Sequence, residues 1–164
     1  MKTQRGEPIM TTLPSTQTLT ADTYVIDRGH GETILFLHGV PDTADMWLPF
    51  IETLSATYRT IAADLPGLGR SGVPTDFDFS LDAMAGWVDH VLASRGITGK
   101  VTLVVHDFGG HYGLAWAVKN PERVAGLVIS NTNFFSDYRW HIGAKLWRTP
   151  ILGDVAMKLM KPSA

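Results

Sequence analysis

Val105-His106-Asp107-Phe108-Gly109-Gly110 ends an apolar run with an aspartate and passes at once into glycine and a helical pattern. Lys100–Asp107 reads as a buried parallel strand, and Gly113–Asn120 continues the helix that opens at Gly109 and Gly110. A strand that turns straight into a helix leaves no room for side chains around the bend, so glycine is needed beside the apex residue. That apex is Asp107, held out at the carboxyl end of a sheet. A serine there would need a base before it could attack, whereas a carboxylate is already anionic near neutral pH. Asp107 is therefore a candidate nucleophile toward an sp³ carbon, forming an alkyl ester that an activated water then hydrolyses. The second step needs a general base, and N–H donors for the oxyanion it creates.

Outward from this turn, strand and helix patterns alternate. Leu19–Asp27 and Glu32–Leu37 read as strands joined across Arg28-Gly29-His30-Gly31, a turn suited to a hairpin. Met46–Tyr58 has helical spacing, and Arg59–Leu65 is the next strand. Leu81–Arg95 is an amphipathic helix with Ser80 as its N-cap and Gly96 at its end. Helix Gly110–Asn120 and strand Arg123–Asn131 follow the central strand. This order predicts an α/β fold with a mostly parallel sheet covered by helices on both faces. Residues 1–17 read as a flexible arm and 18–132 as the core. The aromatic segment 133–164, with Phe134, Phe135, Tyr138, Trp140 and Trp147, reads as the start of a helical lid.

The composition is that of a soluble globular domain: 164 residues, 45% hydrophobic, net charge −2. With no basic block there is no electrostatic footprint for nucleic acid or an anionic membrane. The absence of cysteine excludes disulfides, zinc–thiolate sites and thiol catalysis. No signal peptide or membrane span is legible, which makes a cytoplasmic location the expectation.

Two further loops carry signatures. Thr33–Leu37 runs into His38-Gly39-Val40-Pro41, where glycine permits a tight fold and proline stiffens the exit, so that the Val40 N–H faces the reaction centre. His38 reads as a brace for this loop rather than as the base. Asp64-Leu65-Pro66-Gly67-Leu68-Gly69-Arg70-Ser71-Gly72 is glycine-rich but lacks the Gly-Lys-Ser/Thr ending of a phosphate cradle, so no nucleotide cofactor is expected and Asp64 reads as a structural tie. His106, Asp107 and His111 have no matching ligand cluster elsewhere, and no metal is expected.

Together these three segments resemble the α/β-hydrolase superfamily, over roughly Leu19 to Thr132. Aspartate at the elbow is similar to the branch of haloalkane dehalogenases and epoxide hydrolases, as are Asn120-Pro121-Glu122-Arg123-Val124 and Leu127-Val128-Ile129-Ser130-Asn131-Thr132. The resemblance implies the first six strands of that fold and the start of its lid. It also implies an oxyanion hole from the backbone N–H groups of Val40 and Phe108. His38, Gly39, Pro41, Trp47 and Phe135 are assigned to the pocket and its loop, around a small apolar substrate and water.

The implied reaction is hydrolysis of a carbon–halogen bond, with an epoxide as the alternative substrate. Two features depart from the pattern: Phe108 stands where tryptophan usually grips the departing halide, and Val40 where many dehalogenases carry asparagine. The resemblance implies roughly 280 to 300 residues, with an acid and then a histidine after the nucleophile. Here the only histidine after Asn131 is His141. The expectation is an N-terminal portion, inactive in turnover, whose last strand is an uncovered edge open to self-association; a non-catalytic binding module is the alternative.

Overall fold

The computed structural model describes residues 22–133, 139, 142–153 and 155. Five strands form one sheet: β1 (Val25–Arg28), β2 (Thr33–Leu37), β3 (Arg59–Ala63), β4 (Val101–His106) and β5 (Val124–Ser130). Their spatial order is β1-β3-β2-β4-β5, with β1 antiparallel to β3 and every other pair parallel. The resemblance implied six strands; five are present among the described residues, and the segment before residue 22 lies outside them. Residues 1–17 lie outside them too.

The register sets the site. Leu37 is level with Ala63 on one side and with Val105 on the other, and His106 is level with Ser130. The residues that follow, His38, Asp64, Asp107 and Asn131, therefore emerge along a single carboxyl edge. The period-two alternation of strand side chains divides the core. Leu35, Leu37, Ile61, Leu103 and Val105 point to one face, where they pack under α2 (Leu81–Ser94) and α3 (Gly109–Lys119) through Trp87, Val91, Leu92, Tyr112 and Trp116. Ile34, Phe36 and Ala62 point to the other, against Trp47 and Ile51 of a 3₁₀ turn (Ala44–Trp47) and α1 (Leu48–Leu54).

The helix expected over Met46–Tyr58 is thus shorter, and a 3₁₀ turn precedes it. Thr43 caps a 3₁₀ turn by accepting from the Asp45 N–H, Pro49 occupies the first turn of α1, and the helix ends at Leu54. The expected hairpin is absent: β3 lies between β1 and β2. Gly29 and Gly31 do turn the chain at positive φ, but a Cβ on Gly29 would sit 2.2 Å from the Tyr58 carbonyl oxygen. The turn is thereby pinned to the segment that feeds β3, and that strand takes the place between the two.

Ser80 caps α2 by accepting from the Ala83 N–H, and Gly96 follows the helix at φ +69°. The Trp116 indole N–H and the Arg123 guanidinium both bond Asp89, tying α3 and the start of β5 to α2. Among the described residues β1 and β5 are the edges of the sheet, and on β5 Leu127, Val128 and Ile129 are 45%, 52% and 54% exposed. Of the aromatic segment, α4 (Ile142–Trp147) is helical, while Phe135 and His141 lie outside the described residues.

Candidate active site

Asp107 occupies the left-handed region at φ 47°, which for a side-chain-bearing residue costs about 1 kcal/mol. Three bonds hold it there. Its N–H donates to the Ser130 carbonyl, and its own carbonyl accepts from the Gly110 N–H and, at 2.6 Å, from the Thr132 hydroxyl. The glycines of the bend are sterically enforced. A Cβ on Gly109 would lie 2.4 Å from the carbonyl oxygens of Leu37 and His38, and one on Gly110 would fall 2.1 Å from Thr132 Oγ1. Strand β4 can turn into α3 beside β2 only without those side chains.

The carboxylate faces the loop after β2. Val40 N–H donates to Asp107 Oδ1 at 3.0 Å, and the Val40–Pro41 peptide bond is cis. A Cβ on Gly39 would lie 2.3 Å from Asp107 Cβ, so this approach requires glycine. Among the described residues nothing is bonded to Asp107 Oδ2. Phe108 heads α3, so its N–H is one of the donors that a helix start leaves free of intrahelical bonds, where the helix dipole favours negative charge. Its ring lies 4.9 Å from that of His111 and 6.0 Å from that of Tyr112.

Behind the loop are two buried polar groups. His38 is 0% exposed and bridges two backbone groups: its Nε2 accepts from Leu65 N–H at 2.9 Å, and its Nδ1 lies 2.8 Å from the Gly39 carbonyl oxygen. Burial pushes its pKa below the ordinary imidazole value, against the opposing pull of the Gly39 carbonyl and the Asp64 and Asp42 carboxylates. Asp64 is equally buried. Its Oδ1 accepts from Ala44 N–H and its Oδ2 from the Arg70 backbone and guanidinium. Burial alone would raise the Asp64 carboxyl, but the Arg70 guanidinium and the two backbone donors outweigh it and hold its pKa below the usual carboxylate value. Arg70 also pairs with Asp45 and covers the Tyr24 ring at 3.4 Å.

The structure thus brings His38, Gly39, Val40, Asp107 and Phe108 to one end of the sheet. Trp47 packs elsewhere: it is 5% exposed, its ring against Phe36 and Phe50 in the core below α1. The 3₁₀ turn directs its indole onto the sheet. Pro41 is exposed at the loop exit. Thr132 escaped the sequence reading because its partner is a backbone carbonyl 25 positions away, which no local spacing signals. An open groove of about 380 Å³, lined by residues including Asp89, Ile97 and Arg123, lies at the other end of the strands. Among the described residues no group of three or more His, Asp or Glu side chains is placed to hold a metal ion, and no helix is long and apolar enough to cross a membrane.

Residues 32–153 match the family model described as alpha/beta hydrolase fold. The chain is 38% identical over 119 residues to the cis-3-alkyl-4-alkyloxetan-2-one decarboxylase of Xanthomonas campestris, covering 67% of this chain and 40% of that protein. It is 36% identical over 106 residues to a haloalkane dehalogenase of Agrobacterium fabrum, covering 65% of this chain and 34% of the relative. An epoxide hydrolase of Bacillus megaterium superposes with a TM-score of 0.63 at 34% identity, over 68% of this chain and 39% of that one. The chain therefore spans about two-fifths or less of the length of these relatives.

Proposed function

Because this chain belongs to the alpha/beta hydrolase fold family, we propose that Asp107 is the nucleophile of a hydrolase that forms an alkyl ester with the enzyme, most like a haloalkane dehalogenase. The observation that carries the reading is the Asp107 carboxylate at the apex of the elbow, with Oδ1 on the Val40 N–H and Oδ2 unbonded among the described residues. The two oxygens then have separate tasks. Oδ2 attacks the sp³ carbon as the carbon–halogen bond breaks, and the halide departs with the bonding pair. Oδ1 becomes the carbonyl oxygen of the ester and already lies on the donor that must meet the oxyanion when water adds. The Phe108 N–H supplies the second donor. An acid and a histidine, which follow the nucleophile in the chain order of this fold, would activate the water.

A second substrate reading rests on Phe108, whose ring offers no N–H to a departing halide. The same attack opens a strained oxygen ring: an epoxide carbon, or the ring C–O carbon of an oxetan-2-one, whose leaving group is a carboxylate tethered to the substrate. Relatives acting on both ring types are among those similar to this chain.

The test is trapping. Incubated with a 1-iodoalkane, the chain is expected to gain one alkyl group on the peptide bearing Asp107 and to release one halide per chain without turnover. Labelling elsewhere, or equal labelling of Asp107→Asn, overturns the nucleophile. Parallel incubation with a terminal epoxide and a dialkyl oxetan-2-one, scored by adduct mass, ranks the substrate classes.

A further inference from the structure

We propose that His38 is a positioning residue: its neutral ring, protonated on Nδ1, clamps the Gly39–Val40 peptide so that the N–H of that peptide points at Asp107. The inference rests on reading Asp107 as the nucleophile, and it assigns the imidazole a task beyond bracing a loop.

The tautomer follows from the bonding. Leu65 N–H donates to His38 Nε2, so Nε2 must be the bare nitrogen and Nδ1 must carry the proton. Nδ1–H then donates to the Gly39 carbonyl oxygen at 2.8 Å, and Asp42 N–H donates to the same oxygen at 3.0 Å. That carbonyl and the Val40 N–H belong to one planar trans unit and point in opposite directions. Two donors on the oxygen therefore aim the N–H, and it meets Asp107 Oδ1 at 3.0 Å. A flip of this peptide would remove the donor from Asp107 and strand both donors behind it. The end of β3, through Leu65, thus governs the donor through one buried ring.

Protonation releases the clamp. A proton on Nε2 would set one N–H against another at Leu65, inside a site closed to water. The carboxylates facing the ring are Asp64 at the end of β3 and Asp42 in the loop, with Asp107 beyond the clamped peptide. Asp64 is already neutralised by Arg70. Burial outweighs their pull and lowers the pKa of the ring, which favours the neutral form over that of a free imidazole.

The native chain supplies the first test, by nitrogen-15 NMR of the imidazole and of the Val40 amide across pH 4 to 8. The expected spectrum has protonated Nδ1 and bare Nε2, with the Val40 amide shift changing in step with His38 as it takes up a proton below pH 6.5. A protonated Nε2 in the neutral ring, or a Val40 amide indifferent to that titration, overturns the proposal.

Two variants separate positioning from bracing. His38→Asn keeps a donor near the Nδ1 position, and His38→Gln keeps an acceptor near Nε2. The expectation is that Gln, not Asn, slows ester formation on Asp107 by about tenfold, the loss of roughly one hydrogen bond, and moves the Val40 amide signal. Equal behaviour of the two variants overturns the positioning role. Intact coupling between His38 and Val40 with no adduct on Asp107 leaves the clamp standing and removes the nucleophile.

Discussion

At the scale of single residues, the arrangement makes Asp107→Asn the sharpest change. The amide nearly matches the carboxylate in shape and can still accept from the Val40 N–H, so the fold should persist while ester formation falls by about a thousandfold or more, read by adduct mass. Gly39→Ala acts on the same contact from the other side. A methyl 2.3 Å from Asp107 Cβ must push the loop or the carboxylate away, which should cost about 1–3 kcal/mol in a denaturant titration and suppress labelling. His38 carries a pH signature in stability as well. Its folded pKa lies below the unfolded value, so between the two the unfolded chain binds more protons than the folded one. Stability is then complete above pH 6.5 and declines as the pH falls from there toward the folded pKa, and His38→Asn should flatten that part of the profile. Asp64 has the opposite chemistry but the same direction: its contribution, present above pH 3.8, is lost as the pH falls through its depressed folded value.

At the scale of elements, Ser80→Ala should lower the denaturant midpoint by the equivalent of about 1 kcal/mol, because the Ala83 N–H loses its acceptor at the head of α2. That helix was legible for the same local reason: a capping serine, an apolar stripe and a terminal glycine all fall within one stretch of chain. The elbow was legible too, since Asp107 and the glycines after it answer a steric demand written in adjacent positions. The pairing of β1 was not. Two strands across a glycine turn look like a hairpin, and only the insertion of β3, a non-local event, prevents it. The packing of the Trp47 ring on Phe36 was not legible either, since it follows from the 3₁₀ turn that Thr43 caps. The roles of Leu65 and Thr132 are backbone partnerships across the sheet, invisible to any reading of residue type.

At the scale of the whole molecule, β5 is an edge strand, paired with β4 on one side and with no strand on the other among the described residues. β5 carries neither charge nor proline, the features that ordinarily blunt an edge, and its apolar side chains are half exposed. The chain is expected to self-associate in sedimentation experiments as its concentration rises. Val128→Lys should shift it toward monomer while changing the unfolding free energy by no more than about 0.5 kcal/mol; a native chain that stays monomeric throughout removes this expectation. The bond from Val40 to Asp107 bridges 67 positions of chain and joins the ends of β2 and β4. No isolated fragment of the polypeptide can rehearse that juxtaposition. Pulses of a fast alkylating agent delivered during refolding would therefore work as a clock, with the first appearance of adduct on Asp107 marking the moment at which these two strands come into register.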